Sequence, residues 1–443
     1  MRRPKIPPTL QKCISQLTEQ DLLDRSSNDD VVSFLRRTND KYLHWDKFRH
    51  HPMPEGMSPI AAWGLVALSR VPHMRKIPIA FYDSETELSY WTPPQHQEWL
   101  HQIDQQAGGS ISTSSPFGVA DDDEKYLFNS LMEEAIASSQ LEGATTTREV
   151  AKKFLQTNRK PKDRSQRMIL NNYLAIQEIR ELKKEKLTPE LLCHIQGIIT
   201  KSTLSDESHE GRFRQPGDDK IVVEERMTGE VLHEPPDHFS VEWRVEEICD
   251  FANEKSKPFI HPVVKAIALH FAIGFVHPFI DGNGRTARAI FYWYMLKQGY
   301  WIFEFLPISR IFLDGPIKYA RAYLYTETDD ADLTYFCHYH MHVILRAITE
   351  LHEYIAKQQE ELKEAVDIVA GYSSELNHRQ TDLIYDAIKH KGNVYTIAQH
   401  AGSHNVTKAT ARSDLFDLEA KGFLTKHKHS REWWFTPTEK LPS

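Results

Sequence analysis

Apolar residues recur with the helical period through most of the middle of the chain. In "HPVVKAIALHFAIGF", Val264, Ile267, Ala268, Phe271 and Phe275 keep the i, i+3, i+4, i+7 spacing that stacks side chains on one helix face. "RMILNNYLAIQEIRELKK", "TPELLCHIQGIIT" and "HVILRAITELHEYIAKQQEELKEAV" behave alike. One stretch between them differs. "KIVVEERMTGEVLHE" has two β-prone halves around Thr228-Gly229, a pair that favours a tight turn, so residues 218–236 predict a projecting hairpin. Further upstream, "IAAWGLVALSRV" and "EWLHQIDQQAG" predict short helices, and the Gly/Ser-rich "AGGSISTSSPFG" (107–118) predicts a linker. The last 66 residues predict three helical segments followed by a two-stranded wing in "LTKHKHSREWWFTP". The expectation is a mainly α protein in three parts: a mostly helical region with its linker over 1–118, a helical domain with a hairpin over 119–370, and a tail domain over 371–443.

Composition narrows the class. Of the 443 residues, 40% are hydrophobic and 26% charged, and 54 Lys+Arg against 62 Asp+Glu leave a formal charge of −8. That balance argues against a general polyanion binder while allowing a local basic patch. Cys13, Cys193, Cys249 and Cys337 are scattered without a CxxC pair, which disfavours a disulfide framework or structural zinc and fits a reducing compartment. "MRRPKIPPTLQK" is followed by no apolar run, and no long apolar window occurs, so the expected location is the cytoplasm, with no membrane partner.

The chemistry is concentrated in "FVHPFIDGNGRTARAIFYWYML". Pro278 ends one helical pattern and a second begins near Arg285, so Asp281-Gly282-Asn283-Gly284 lies in the turn entering a helix N-terminus. Backbone N–H groups there make an anion site, and glycines let phosphate oxygens approach without a Cβ in the way. Arg285 and Arg288 can hold further phosphates as charge-assisted forks. Asp281 suits such a site if a cation such as Mg²⁺ joins it, and His277 can take a proton from a hydroxyl. "GNGRTA" (282–287) also satisfies G-x-G-x-x-A, with Glu304 about twenty residues on. Helical period before the motif, and no series of βαβ units, weigh against that dinucleotide reading. His270 reads as a core histidine and His261 as a helix start.

"HPFIDGNGRTAR" resembles the signature of the Fic (Fido) domain family, H-x-F-x-[DE]-G-N-G-R-x-x-R, at every specified position. The resemblance extends over roughly 120–340, with "EGRFR" (210–214) and "YLYTETDDADLTYF" inside it and a core at about 187–338. It implies an all-α domain that transfers AMP from ATP, with Mg²⁺, to a Ser, Thr or Tyr hydroxyl of a protein. His277 would be the catalytic base, Phe279 would plug the loop into the core, and Asp281 would hold the metal. Gly282, Asn283 and Gly284 would cradle the phosphates, with Arg285 and Arg288 on the phosphate tail. The hairpin would be the flap that registers the target, and Tyr319 and Thr326 would line the adenine pocket.

Upstream, Asp121 to Asp123 suit a helix start, Gly143 suits the residue after a helix end, and Thr146 with Glu149 suits a capping box for the next helix. "SSQLEG" resembles the inhibitory motif [ST]-x-x-x-E-[GN] of one Fic class through Ser138, Glu142 and Gly143. That resemblance implies a glutamate that pairs with Arg288 and holds the enzyme off, and that in some relatives serves removal of AMP instead. The tail resembles a winged helix-turn-helix, with Thr407, Lys408, Thr410 and Arg412 placed for base and phosphate contacts. Ten Lys+Arg against seven Asp+Glu over 378–443 give it a net +3, mild for DNA. Expected partners are a protein target and the chain itself, with DNA and a homodimer open. The leading reading is an autoinhibited protein adenylyltransferase. The alternatives are a DNA-binding regulator with a self-modifying Fic module, and a Fic enzyme with deAMPylase or other phosphotransfer activity.

Overall fold

The computed structural model describes residues 1–81, 86–108, 120–157, 159–225, 228–254, 257–371, 376–389, 393–429 and 432–439. The stretch read as a linker lies, from residue 109 on, outside them. The chain divides into two units, one of Met1–Ser114 and Asp121–Thr349, the other of Ser115–Ala120 and Glu350–Ser443. No helix among the described residues is long and apolar enough to cross a membrane.

The N-terminal residues form α1 (Leu10–Ile14), α2 (Glu19–Ser27), α3 (Asp29–Asp40), α4 (Trp45–Phe48), α5 (Pro59–Arg70) and α6 (Pro94–Ala107). Thr18 and Asp21 close a capping box at α2, and Pro59 starts α5 behind the N-cap Ser58. Phe34, Phe48, Trp63 and Leu65 fill their shared core. Strands β1 (Arg75–Ala80) and β2 (Glu87–Tyr90) pair antiparallel, an element the hydrophobic pattern had not announced. This region shares its interior with the helical domain. Arg70 Nη1 donates to the Tyr335 hydroxyl at 2.9 Å, and the Tyr42 hydroxyl donates to Asp332 at 2.6 Å.

The helical domain runs through α7 (Ala120–Leu141), α8 (Arg148–Gln156), α9 (Arg164–Glu181) and α10 (Pro189–Thr200) to the hairpin of β3 (Val223–Glu224) and β4 (Val231–His233). It continues with α11 (Val241–Asn253), α12 (Pro262–Val276), α13 (Asn283–Lys297), α14 (Ile308–Asp314), α15 (Pro316–Thr328) and α16 (Thr334–Gly371). The hairpin is short and its register shifts within it, Val223 facing His233 and Glu224 facing Val231. The cap of α8 is Thr147, accepting from Val150 N, one residue later than the expected Thr146. Thr146 instead offers its carbonyl to Gln140 Nε2 at 2.9 Å.

Helix α12 is buried on every face, Lys265 and His270 included, so it is the axis of the domain rather than an amphipathic surface helix. Helix α13 packs against it and is buried from Arg285 to Leu296. Helix α7 is seated by a buried carboxylate. Glu134 accepts from the Tyr292 hydroxyl and from Ser309 N, each at 2.8 Å, and from the Ser309 hydroxyl.

In the second unit, α17 (His378–Lys389), β5 (Tyr395–Thr396), α18 (Ile397–Ser403) and α19 (Lys408–Ala420) precede β6 (Leu424–His429) and β7 (Glu432–Pro437). The sheet has three strands in the order β5-β7-β6, one more than expected. Leu383, Ile384, Leu415, Leu418, Phe423 and Phe435 form its core.

Candidate active site

The loop between α12 and α13 is built by its own side chains. His277 caps α12 with φ 49° and ψ 57°, a left-handed backbone that a residue with a Cβ seldom adopts. Phe279 drops into the core, fully buried, its ring 5.1 Å from that of Phe213. Asn283 then staples the turn. Its amide donates to Phe279 O at 2.7 Å and its carbonyl accepts from Phe279 N at 2.9 Å. The side chain is consumed in that closure, so only the backbone N–H of Asn283 remains for a ligand. Gly282, at φ 87°, is the N-cap of α13 and supplies a conformation that glycine adopts without penalty. A Cβ there would also lie 2.8 Å from Thr200 Cγ2.

The N–H groups of Asn283, Gly284 and Arg285 open α13 and have no intrahelical acceptor. They point, with the positive end of the helix, to an anion site. Gly284 marks its floor. A Cβ on this residue would stand 2.2 Å from Glu142 Oε1 and 3.2 Å from Arg288 Nη1. The carboxylate of Glu142 thus lies directly over the helix entrance. Arg288 Nη2 donates to Glu142 Oε1 and to Ser138 O, each at 2.9 Å, and Nε donates to the Ser138 hydroxyl at 2.8 Å. Glu142 follows the last turn of α7, and Gly143 turns the chain away at φ 97°. Burial pushes the Glu142 carboxyl upward, but Arg288 and Arg285 outweigh it and hold it below the usual carboxylate range.

His277 Nδ1 donates to Gly274 O at 2.9 Å, which leaves Nε2 as the lone-pair nitrogen. Burial lowers its pKa to about 4, so the imidazole is neutral at pH 7 and able to take a proton. Glu142, Gly274, His277, Gly284, Arg288, Tyr319 and Tyr323 line a cavity of about 190 Å³, closed on one side by Val223, Leu232 and His233 of the hairpin. A larger open groove of 1050 Å³ lies by α10 and α11, lined by Glu190, His194 and Phe239 among others, but it contains neither His277 nor the glycine loop. His277, Glu142 and Arg288 meet at the smaller cavity.

Other expected residues fall as follows. Arg285 is fully buried, with Nη1 donating to Ile199 O at 3.1 Å and Nη2 to Asp281 Oδ1 at 3.2 Å. Tyr319 lines the cavity, its hydroxyl 2.8 Å from His270 Nε2, so the buried His270 supports a pocket residue. Thr326 does not line it. Its hydroxyl is fully buried and donates to Asp332 O at 3.0 Å, while Tyr323, Leu324 and Glu327 of α15 face the cavity. Asp281 is 36% exposed, and Arg164 and Arg285 each lie 3.2 Å from its oxygens. Among the described residues no three His, Cys, Asp or Glu side chains converge as a metal site. A hard cation at Asp281 would therefore rely on oxygens brought by a bound phosphate ligand. The exposed carboxylate beside an anion site fits that arrangement. All four cysteines are unpaired.

Residues 186–295 match the model of the Fic/DOC family. "Protein adenylyltransferase fic-1" of Caenorhabditis elegans is 39% identical over 57 residues, 13% of this chain and 11% of that protein. "Protein adenylyltransferase Fic" of Drosophila willistoni is 34% identical over 68 residues, 15% of this chain and 14% of that protein. These matches span only a small part of the relatives' own length. In fold, the chain is similar to the crystal structure of a Fic family protein from Desulfovibrio desulfuricans G20, with a TM-score of 0.51 at 17% identity over 77% of this chain and 94% of that one. The segment that holds His277, the glycine loop and the hairpin, residues 186–295, is thus a domain of the Fic/DOC family.

Proposed function

We propose that this chain is a protein adenylyltransferase that moves AMP from ATP to a Ser, Thr or Tyr hydroxyl of a protein, itself included, in the cytoplasm. The observation that carries the reading is the meeting, at one small cavity, of a neutral imidazole and a glycine-floored helix N-terminus. The N–H groups of Asn283, Gly284 and Arg285 hold the α- and β-phosphates, and Arg288 takes the tail of the triphosphate. Tyr319, Tyr323 and Leu324 offer the wall against which adenine stacks. A target segment adds to the hairpin edge as an extra strand. His277 Nε2 takes the hydroxyl proton as the hydroxyl oxygen bonds to the α-phosphorus. The bond from that phosphorus to the bridging oxygen breaks, and pyrophosphate leaves. Mg²⁺ held through Asp281, once Arg164 turns aside, would offset charge on the leaving phosphates. The names of the partial relatives support the same donor.

Glu142 is the brake. Its carboxylate lies where phosphate oxygens would meet the N–H of Gly284, and it occupies Arg288. ATP and Glu142 therefore compete for one arginine and one helix end.

The tail supports a second role. Its three helices and three-stranded sheet support reading it as a winged helix-turn-helix, with exposed Lys408 and Arg412 on α19 offered to DNA phosphates or to a second protein.

Intact-mass analysis of wild type, Glu142→Gly and His277→Ala after incubation with ATP and Mg²⁺ tests the enzyme reading. The expected result is an AMP-sized adduct strong on Glu142→Gly, weak on wild type and absent from His277→Ala. A phosphate-sized adduct, or none on any protein with a target-bearing lysate added, overturns it.

A further inference from the structure

Arg214 ends the "EGRFR" run, a segment to which the proposed reaction gives no task. Its backbone N–H donates to Pro278 O at 2.9 Å. Its Nε donates to His277 O at 2.8 Å, and Nη2 donates to Val276 O at 3.0 Å and to Pro236 O. From the hairpin, His233 Nε2 donates to Phe275 O at 2.7 Å, while its Nδ1 lies 3.0 Å from Glu327 Oε2 on α15. With His277 Nδ1 on Gly274 O, the carbonyls of five consecutive residues, 274 to 278, each accept a hydrogen bond from outside the ladder of α12.

This is more than an ordinary helix end. The last carbonyls of a helix carry partial negative charge and lack partners, and here a forked cation spans two of them at once. It does so at the residue whose left-handed backbone needs outside support, because such a conformation persists only where its surroundings over-determine it. The same guanidinium grips Pro236, on the return leg of the hairpin.

We infer that Arg214 is a positioning residue for His277: it fixes the backbone from which the imidazole is aimed and ties the target-binding hairpin to that backbone. The role rests on the proposed transfer reaction. His233 makes the companion tie from the other side of the hairpin. Docking of a target on the hairpin and aiming of the base are therefore linked through two side chains, Arg214 and His233.

The test uses the full chain carrying Glu142→Gly, with Arg214→Ala and Arg214→Lys added separately. Misplacing a reacting group by about an ångström costs about 100-fold, so kcat is expected to fall between about 10- and 100-fold. KM for ATP stays within about twofold, because the phosphate site is left intact. Lysine, a point charge without the fork, restores little. Guanidinium ion added at millimolar concentration restores kcat to Arg214→Ala more than ammonium does. A kcat unchanged in Arg214→Ala overturns the inference. So does a loss in which KM for ATP rises in step and guanidinium restores nothing.

A second measurement does not need transfer activity. The groups facing the His277 ring are the Gly274 carbonyl, His233, Glu142 and Arg214, and the charge on Arg214 lowers its pKa. Titration of ring-labelled histidine by NMR in otherwise wild-type protein, with His277→Ala to identify the resonance, should move upward in Arg214→Ala. If Glu142→Gly transfers nothing to any target, the enzyme reading fails, and an unmoved His277 titration then sinks the positioning role separately.

Discussion

Replacing Glu142 tests the competition for Arg288 quantitatively. The pair is one charge-assisted hydrogen bond of 2.9 Å between an arginine 3% exposed and a carboxylate 30% exposed. Such a bond is worth about 1.5 to 3 kcal/mol, which keeps the unoccupied form of Arg288 down by about 10- to 150-fold. Glu142→Gly should therefore raise both the affinity for a non-hydrolysable ATP analogue and the transfer rate at low ATP by a factor in that range. Glu142→Gln separates charge from bulk. Its amide oxygen can still accept from Arg288, but a neutral bond of about 0.5 to 1.5 kcal/mol leaves a residual brake of only about 2- to 13-fold. The order of affinities is then wild type, Gln, Gly. Isothermal titration calorimetry reads the binding, and radiolabelled transfer at ATP well below KM reads the rate. Equal analogue affinity in wild type and Glu142→Gly would refute the reasoning, because the carboxylate would then not occupy the phosphate path. A glutamine variant indistinguishable from wild type would show that bulk, not charge, closes the site.

Asn283→Ala removes two buried hydrogen bonds and strands the N–H and C=O of Phe279. A loss of roughly 2 to 4 kcal/mol is expected, seen as a lower urea midpoint for the first unit even without ligand. The gain from Glu142→Gly should be flat between about pH 6 and 9. A carboxyl held below its ordinary range keeps its pair above the unfolded pKa and loses it only as pH falls through the folded one. A rise of wild-type activity relative to the variant across that window would contradict this. Asp329 behaves oppositely. Burial and the neighbouring Asp332 raise its pKa from 3.8 to about 7, so its contribution is complete below pH 3.8 and is lost as pH rises through 7. Asp329→Asn should flatten the fall in stability between those limits, by at most about 4 kcal/mol, in urea midpoints measured across pH.

What could be read in the chain was what is local. The loop from His277 to Arg288 is contiguous, so residue types and spacing alone place an imidazole, glycines and arginines at one helix entrance. Helical period likewise announced most of the domain. That period alone does not separate a surface helix from an axis, because an i, i+3, i+4 stripe looks the same whether the other face is wet or dry, and in α12 it is dry. Strands β1 and β2 passed unnoticed because "RKIPIA" and "ELSY" are too short for a period to emerge. Arg214 and His233 lie 63 and 42 residues from the carbonyls they hold, and no spacing rule reaches that far. Thr326 shows the converse limit. A position in a helix does not say which way a hydroxyl turns, and this one turns to Asp332 O.

The seat of Glu134 has a consequence for how the site can open. Two turns upstream of Glu142, on α7, this carboxylate holds donors from Tyr292 and Ser309 in a dry interior. Lifting α7 away as a rigid rod would abandon those donors and bring a desolvated acid through an apolar path. Unlocking is therefore confined to the few atoms beyond Leu141, where a change of side-chain rotamer about Glu142 and the swivel at Gly143 suffice. The brake works as a pawl on a fixed axle: one tooth lifts while the wheel stays mounted, and it can fall back as soon as the nucleotide departs.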